Sequence, residues 1–265
     1  MSANMPTHPD AAGFSSSPSA PDKNKNASRH ALPLSWLLVP VILAIAAFIV
    51  GETTDIDRVL ARLAFDTQSG TFPLRTNFWL DVVLHHWAKY VVVAIGGVLA
   101  ARYVLSFFLP TLKPARQRIL FVLLALSLAP LSVTVAKYTS DRHCPWSVEE
   151  FGGLVPYTRL FEPLLPDIEP GRCFPAGHAS TGFALMAFYF GAYAQQQRRR
   201  ARIIFACAIA AGLAFGTGRV LQGAHFATHV IWSGIVCWVV MVSLYMLLIG
   251  RNTHRTQPFD TSHPV

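Results

Sequence analysis

The sequence predicts an all-α membrane protein, a polytopic bundle of six transmembrane helices with both termini in the cytoplasm. Hydrophobic residues make up 52% of the chain and charged residues only 14%, whereas about a quarter of a soluble domain is charged. The apolar residues also form blocks that approach the roughly 20 residues a helix needs to cross a bilayer. Six blocks are expected to span the membrane: Leu34–Val50, Tyr90–Leu109, Ile119–Val135, Ala179–Ala194, Ile203–Thr217 and Val230–Ile249.

Basic residues set the predicted orientation, because loops rich in lysine and arginine stay in the cytoplasm. They precede the first block, fill the second and fourth connections and follow the last block: Lys23, Lys25, Arg29, Lys113, Arg116, Arg118, Arg198, Arg199, Arg200, Arg202, Arg251 and Arg255. The net charge of +8 follows from this bias. A nucleic-acid-binding protein would cluster its basic residues with aromatics on a soluble face, so no nucleic-acid partner is expected.

Polar segments at the two ends complete the predicted domain organisation. Residues 1–32 are rich in Pro, Ser, Ala and Asn and are expected to form a disordered cytoplasmic N-terminus. Residues 33–250 are expected to form the membrane domain, and residues 251–265 a cytoplasmic tail. No secretory signal peptide is expected, because the polar leader is too long and no A-x-A cleavage site follows the first block.

Groups able to bind or cleave a phosphate gather in and directly beside two connections on the predicted outer side, residues 137–177 and 218–229. They are Lys137, Arg142, His143, Arg172, His178, Arg219, His225 and His229. An ionisable residue at a membrane boundary either has a function or extends its charge into the water. A lone arginine at a helix end is typical of the second case, but several clusters on one side indicate a functional site at the outer face.

Two of these clusters have features of an anion-binding site. The segment Pro-Ala-Gly before His178 opens the fourth span, and free N–H groups at a helix start attract anions. Arg219 offers a planar fork for phosphate oxygens, and His225 can act as a nucleophile or base near neutral pH. The alternatives are an ordinary helix start capped by His178, an arginine and histidine that only face the membrane surface, or a metal site with His225 and His229 as ligands.

Together the clusters resemble the signature of the type 2 phosphatidic acid phosphatase superfamily, which reads K-x6-R-P, P-S-G-H and S-R-x5-H-x3-D. The resemblance implies a metal-independent phosphatase without a cofactor. In it His225 attacks phosphorus to form a phosphohistidine, and His178 first protonates the leaving oxygen and then activates water. It also implies that Lys137, Arg219 and the backbone N–H of Gly177 hold the phosphoryl oxygens.

Four positions depart from that signature. Cys144, Ala176, Gly218 and His229 stand where the superfamily has Arg, Ser, Ser and Asp. We expect Arg142 or Arg172 to supply the missing cation. We also expect His229 to accept a hydrogen bond from His225, although a neutral imidazole adds no negative charge beside the nucleophile.

The function implied is hydrolysis of a lipid phosphate or diphosphate at the periplasmic face of a bacterial inner membrane. The candidate substrates are lipid A, a polyprenyl diphosphate, phosphatidylglycerol phosphate and phosphatidic acid. Three alternatives stay open at this point: a phosphotransferase between lipids, a catalytically silent lipid head-group binder, and a haem-b-type redox protein with histidines as axial ligands.

The four cysteines fall into two pairs. Cys144 and Cys173 lie in the predicted outer loop, where an oxidising periplasm lets disulfides persist, so we expect a bridge between them; the alternative is two unpaired loop thiols. Cys207 and Cys237 lie inside predicted spans, where a free thiol behaves as a small apolar residue.

Overall fold

Every regular element of the described chain is helical. The computed structural model describes residues 33–250, apart from the side chain of His85, and within them the only β pairings are two isolated bridges. The α-helices are α1 Ser35–Thr53, α2 Ile56–Ala64, α3 Ala88–Leu105, α4 Arg116–Tyr138, α5 Gly177–Phe183, α6 Met186–Ala194, α7 Arg198–Leu221 and α8 Ala227–Tyr245. Two π-helical segments, Trp79–Trp87 and Met246–Gly250, extend α3 and α8, and short 3₁₀ turns occupy Pro110–Ala115, Pro145–Ser147 and Glu149–Phe151. The predictions for residues 1–32 and 251–265 lie outside the described residues.

Five of these helical stretches are long and apolar enough to cross a membrane. They are Ser35–Thr53, Trp79–Leu105, Pro110–Tyr138, Arg198–Leu221 and Ala227–Gly250. Much of their apolar surface points away from the bundle; Ile42, for example, is 61% exposed. A surface of this kind is unfavourable in water but stable against lipid tails. The chain is therefore a multi-pass helical membrane protein.

The fourth predicted span does not form one long helix. It consists of α5 and α6, separated at Ala184 and Leu185, and neither reaches the length of a span by itself. The prediction of six spans is therefore not confirmed. The apolar composition continues across the break, so the sequence pattern carried no sign of it. Glycines let α5 pack closely against α7, since a Cβ added at Gly182 would lie 2.6 Å from the Cα of Gly212 in α7.

The two ends of the bundle differ in construction. We call the end that carries the connection 139–176 the loop end, and the opposite end, which carries Arg102, Lys113, Arg116, Arg118 and Arg198–Arg202, the basic end. At the basic end, the buried Trp36 of α1 donates from Nε1 to the Tyr189 hydroxyl at 2.8 Å, and Trp238 donates from Nε1 to the Trp36 carbonyl at 2.8 Å. Aromatic contacts thus fasten α1 to α6 and α8.

The loop end has a small apolar core of its own. Ala61 of α2 packs there with Phe72, Val148, Phe151 and Phe226. The amphipathic helix α2, which the sequence analysis did not predict, covers this core and presents its arginines to the loop. Arg58 and Arg62 both donate from Nε to the carboxylate of Glu150, in the first case at 2.7 Å. These contacts hold the connection 139–176 against α2.

Candidate active site

The three motif segments meet at the loop end, around His225. Lys137 lies in the last turn of α4, Arg219 in the last turn of α7, and His178 in the first turn of α5. The charges of His229, Lys137, Arg219 and His178 all act on the His225 imidazole. The structure therefore brings residues of three separate segments together around one histidine.

His225 is buried, with 3% of its surface exposed, in the turn between α7 and α8. The turn is tight because Gly223 adopts a positive φ of 69°, and a Cβ there would lie 2.4 Å from the Phe72 ring. Burial, followed by the positive charges of the surrounding cluster, lowers the pKa of His225 well below 6.5. The imidazole is therefore neutral at neutral pH and keeps a nitrogen lone pair available for attack.

His229 lies one helical turn further along, in the first turn of α8, and is also buried. Its ring centroid is 5.9 Å from that of His225, with an interplanar angle of 67°. The ring hydrogen-bonds the backbone of Cys173, and its Nδ1 is buried without a hydrogen-bond partner among the described residues. The bond expected from His225 to His229 is not formed; the polar contact of His225 Nδ1 is the Cys173 sulfur at 3.5 Å.

A disulfide links two of the motif segments. Cys144 and Cys173 are joined, with their Cα atoms 5.3 Å apart, and the Cys173 N–H donates to the Arg142 carbonyl at 2.8 Å. Cys207 and Cys237 are free, the first exposed on α7 and the second buried in α8. The bridge holds the segment after α4 against the segment before α5, and brings its sulfur to the nucleophile candidate.

The same disulfide bears on the metal-site alternative. Ligand atoms of Cys173, His225 and His229 lie within 4.8 Å of one another. A bridged sulfur has no thiolate to offer, and zinc sites use three or four protein ligands. In the bridged protein this cluster therefore provides only two imidazoles, too few for such a site.

Arg142 and Arg172 are engaged elsewhere. Both terminal nitrogens of the buried Arg142 donate to backbone carbonyls, those of Arg159 and, at 2.7 Å, Glu162. Arg172 is exposed and places its guanidinium 5.8 Å from the centroid of the Tyr138 ring. Neither charge is among those that act on His225. Arg142 therefore holds the loop together, and its charge acts on His229 and not on His225. Arg172 acts on neither histidine.

A different arginine, not considered from the sequence, lies beside the cluster. The guanidinium of Arg75 is 4.6 Å from the Trp146 ring centroid, and that of Arg219 is 5.9 Å from the same centroid. The fully buried Gln222 connects them, since its Oε1 accepts from Arg219 Nη1 at 2.8 Å and its Nε2 donates to the Arg75 carbonyl at 3.2 Å. Trp146 is held in turn by its N–H bond to the Gly223 carbonyl at 3.0 Å.

Asp57 is a second residue that the sequence analysis missed. Its buried carboxylate accepts a hydrogen bond from the Thr228 N–H at 2.9 Å and another from the Thr228 hydroxyl. These bonds cap the start of α8, the helix turn that carries His229. Burial raises the pKa of Asp57 in spite of those hydrogen bonds. The signals available in sequence were an acid just after an apolar block and a threonine at a helix start, but nothing paired the two.

Comparisons with known proteins agree with the motifs. No solved structure matches the chain. A protein named lipid A 4'-phosphatase from Francisella tularensis subsp. novicida (strain U112) is 28% identical over 179 residues, which cover 64% of this chain and 77% of that protein. The model of the PAP2 superfamily matches residues 118–253, slightly more than half of the chain and all three motif segments. The chain therefore belongs to the PAP2 superfamily, the superfamily of type 2 phosphatidic acid phosphatases that its motifs resemble.

Proposed function

We propose that this protein is a membrane lipid phosphatase that hydrolyses a phosphate ester through a phosphohistidine on His225. The observation that carries the proposal is the burial of the His225 imidazole beside the charges of Lys137, Arg219 and His178. A neutral nitrogen nucleophile surrounded by cations is suited to attack on an anionic phosphoryl group.

The proposed reaction has two steps. A lone pair of His225 attacks phosphorus, and the bond from phosphorus to the lipid oxygen breaks as His178 protonates that oxygen. Water then attacks the phosphohistidine while His178 accepts a water proton, which releases inorganic phosphate and frees His225. The sum consumes one phosphate ester and one water and yields a lipid alcohol and phosphate.

Cations supply the electrostatic stabilisation in this scheme. The charges of Lys137 and Arg219 repel one another across the site, and a phosphate between them would relieve that repulsion. The Gly177 N–H would add a donor, and the space where a Cβ would stand at Gly177 is open. Arg75, beside Trp146 and Arg219, would replace the arginine that the superfamily carries where this chain has Cys144.

The disulfide would take over part of the orienting role of the missing aspartate. With a proton on Nδ1, His225 would donate weakly to the Cys173 sulfur 3.5 Å away, leaving Nε2 as the attacking atom. Sulfur is a poorer acceptor than a carboxylate, so this arrangement would stabilise an imidazolium less than an aspartate does. The Cys144–Cys173 bridge is thus proposed to be a positioning element.

The proposed topology places this chemistry on the periplasmic face of a bacterial inner membrane. If α5 and α6 cross together, Gly177–Ala194 covers about 18 residues, near the lower limit for a span. Six crossings then leave both termini and the basic end in the cytoplasm, as the positive-inside rule requires.

The substrate is proposed to be a phosphorylated lipid. The Francisella relative is named for lipid A, so phosphorylated lipid A is the first substrate to test, followed by a polyprenyl diphosphate, phosphatidylglycerol phosphate and phosphatidic acid. Membership of the PAP2 superfamily argues against a haem-b-type redox protein. A phosphotransferase would use the same phosphohistidine and differ only in its acceptor.

The test is phosphate release by the purified full-length chain from each lipid in the presence of EDTA. We expect turnover of at least one lipid and an acid-labile, alkali-stable phosphoenzyme that is absent from His225→Ala. Loss of turnover in EDTA that zinc restores would overturn metal independence. Turnover that needs a second lipid as acceptor would identify a transferase.

A further inference from the structure

A large groove opens at the basic end of the bundle, far from His225. Residues of α3, α4, α6 and α7 line it, and its volume is about 740 Å³, within the roughly 300–1,000 Å³ of small-molecule sites. Arg118 of the groove lies near the start of α4, and Lys137 of the candidate active site lies near its end. At a rise of 1.5 Å per residue, the two ends of the helix are about 28 Å apart.

The groove has a basic rim. Arg102, Arg118 and Arg200 line it, and no acidic residue does. Every Asp and Glu in residues 33–250 lies within 52–81 or 141–169, at the loop end. The ion pairs of the described chain accordingly involve none of these three arginines. Three cations thus converge on a cavity without a countercharge in the described protein.

The rest of the groove is apolar and runs along the helices. Its walls include Val91, Ile95, Leu99, Val122, Phe188 and Ile204. Gly191 has no side chain to narrow the groove; a Cβ there would lie 3.2 Å from the Val122 side chain and 3.9 Å from the aliphatic part of Arg118. The basic rim lies at the end of the membrane-spanning helices, and the apolar part of the groove lies at membrane depth. The rim therefore suits an anionic head group, and the apolar part suits a hydrocarbon tail.

We propose that this groove binds an anionic phospholipid as a resident, non-substrate ligand. The phosphate group lies among Arg102, Arg118 and Arg200, and one acyl chain lies along the apolar walls of α3 and α4. A zwitterionic phospholipid of the same chain length binds less well, because its head group carries no net charge to offset three arginines. This site is separate from the catalytic one and does not depend on its mechanism.

The test is equilibrium binding of phosphatidylglycerol and phosphatidylcholine to the full-length chain in neutral detergent. A His225→Ala background keeps any phosphatase activity out of the measurement. The groove variant carries Arg102→Gln, Arg118→Gln and Arg200→Gln. The matched control carries Lys113→Gln, Arg199→Gln and Arg202→Gln, which remove the same charge from the same end outside the groove.

We expect the groove variant to bind phosphatidylglycerol roughly hundredfold more weakly, since each of the three basic residues contributes about 1 kcal/mol to anionic-lipid binding. The control should change by less than about twofold, because charges beyond the groove are screened. Ala94→Phe, which fills the apolar part without changing charge, should also weaken binding.

Three results would overturn the proposal. Equal losses in the groove variant and the control would show only general attraction to the basic end. Equal affinity for phosphatidylglycerol and phosphatidylcholine would remove the role of charge. Displacement of the lipid by an equal concentration of glycerol phosphate would show that the acyl chain contributes nothing.

Discussion

The loop end and the basic end use the same kind of side chain in opposite ways. At the loop end, Lys137 and Arg219 lie beside a buried histidine. Arg58, Arg62 and Arg159 pair with Asp55 and Glu150 there, and Asp81 lies 3.8 Å from Arg219 Nη1. At the basic end no acid of the described chain is present, and the arginines lie at the surface. In our proposals, the cations directed into the covered site stabilise the reacting phosphate, whereas the cations at the open rim bind a lipid that stays intact.

The largest effect on this difference between the two ends is expected from removing the proposed nucleophile, His225. We expect His225→Ala to lower turnover by about 10⁴-fold or more, and His178→Ala to come close, because groups that act as a unit are not additive. Phosphate release from the lipid that the wild type prefers is the measurement. Full turnover by His225→Ala would refute the phosphohistidine.

Removing a cation at the loop end should reduce turnover less than removing His225 does. We expect Arg219→Ala to reduce kcat by roughly 10²–10³-fold, as loss of one transition-state donor does, and Arg75→Ala to reduce kcat/KM by about tenfold.

Arg142→Ala should mainly lower thermal stability, since Arg142 holds the Arg159 and Glu162 carbonyls. Arg202→Gln at the basic end is the control, with unchanged turnover. A larger effect of Arg142→Ala than of Arg75→Ala on kcat/KM would reverse our assignment of the two arginines.

The disulfide should matter for both stability and rate. Its sequence separation of 29 residues corresponds to about 3–4 kcal/mol in the chain-entropy model. We expect Cys144→Ser with Cys173→Ser to lower Tm and kcat together, while Cys207→Ser leaves both unchanged. Mass spectrometry of membrane material alkylated before reduction tests the bridge itself, which does not exist there if Cys144 and Cys173 are both alkylated.

The pH dependence of thermal stability should show whether His225 is buried in its neutral form. The pKa of His225 is lowered in the folded protein, so as pH falls through about 6.5 the unfolded chain binds a proton that the folded protein does not. Stability therefore falls with falling pH. We expect the Tm of the wild type to drop more than that of His225→Asn between about pH 7 and about pH 5. Parallel Tm profiles would show that His225 is not buried neutral.

The smallest expected effect lies at the capping contact. Asp57→Ala removes both acceptors at the start of α8 and should destabilise the protein by about 1–2 kcal/mol. Asp57→Asn keeps one acceptor for the Thr228 N–H and should recover part of that loss. Thermal unfolding of the three proteins measures it. An unchanged Tm for Asp57→Ala would mean that the cap contributes nothing.

Several features of the fold and the site were accessible from the sequence because they depend on local chemistry. Five of the predicted apolar blocks correspond to helices that are long and apolar enough to span a membrane, since block length and composition are local properties. The three motif segments likewise carry their spacing within a few residues each. The sequence by itself therefore indicates Lys137, His178, Arg219 and His225 as one group.

Other features were decided by contacts between distant residues. The break at Ala184 and Leu185 leaves the apolar composition unchanged, so only packing exposes it. Arg75 is 71 residues from Trp146, and Asp57 is 171 residues from Thr228. Hydrophobic block length and helix starts are properties of a short stretch of chain. The positions of Arg75 beside the site and of Asp57 at the start of α8 depend on how the loops pack over the bundle. Only the tertiary structure determines that packing.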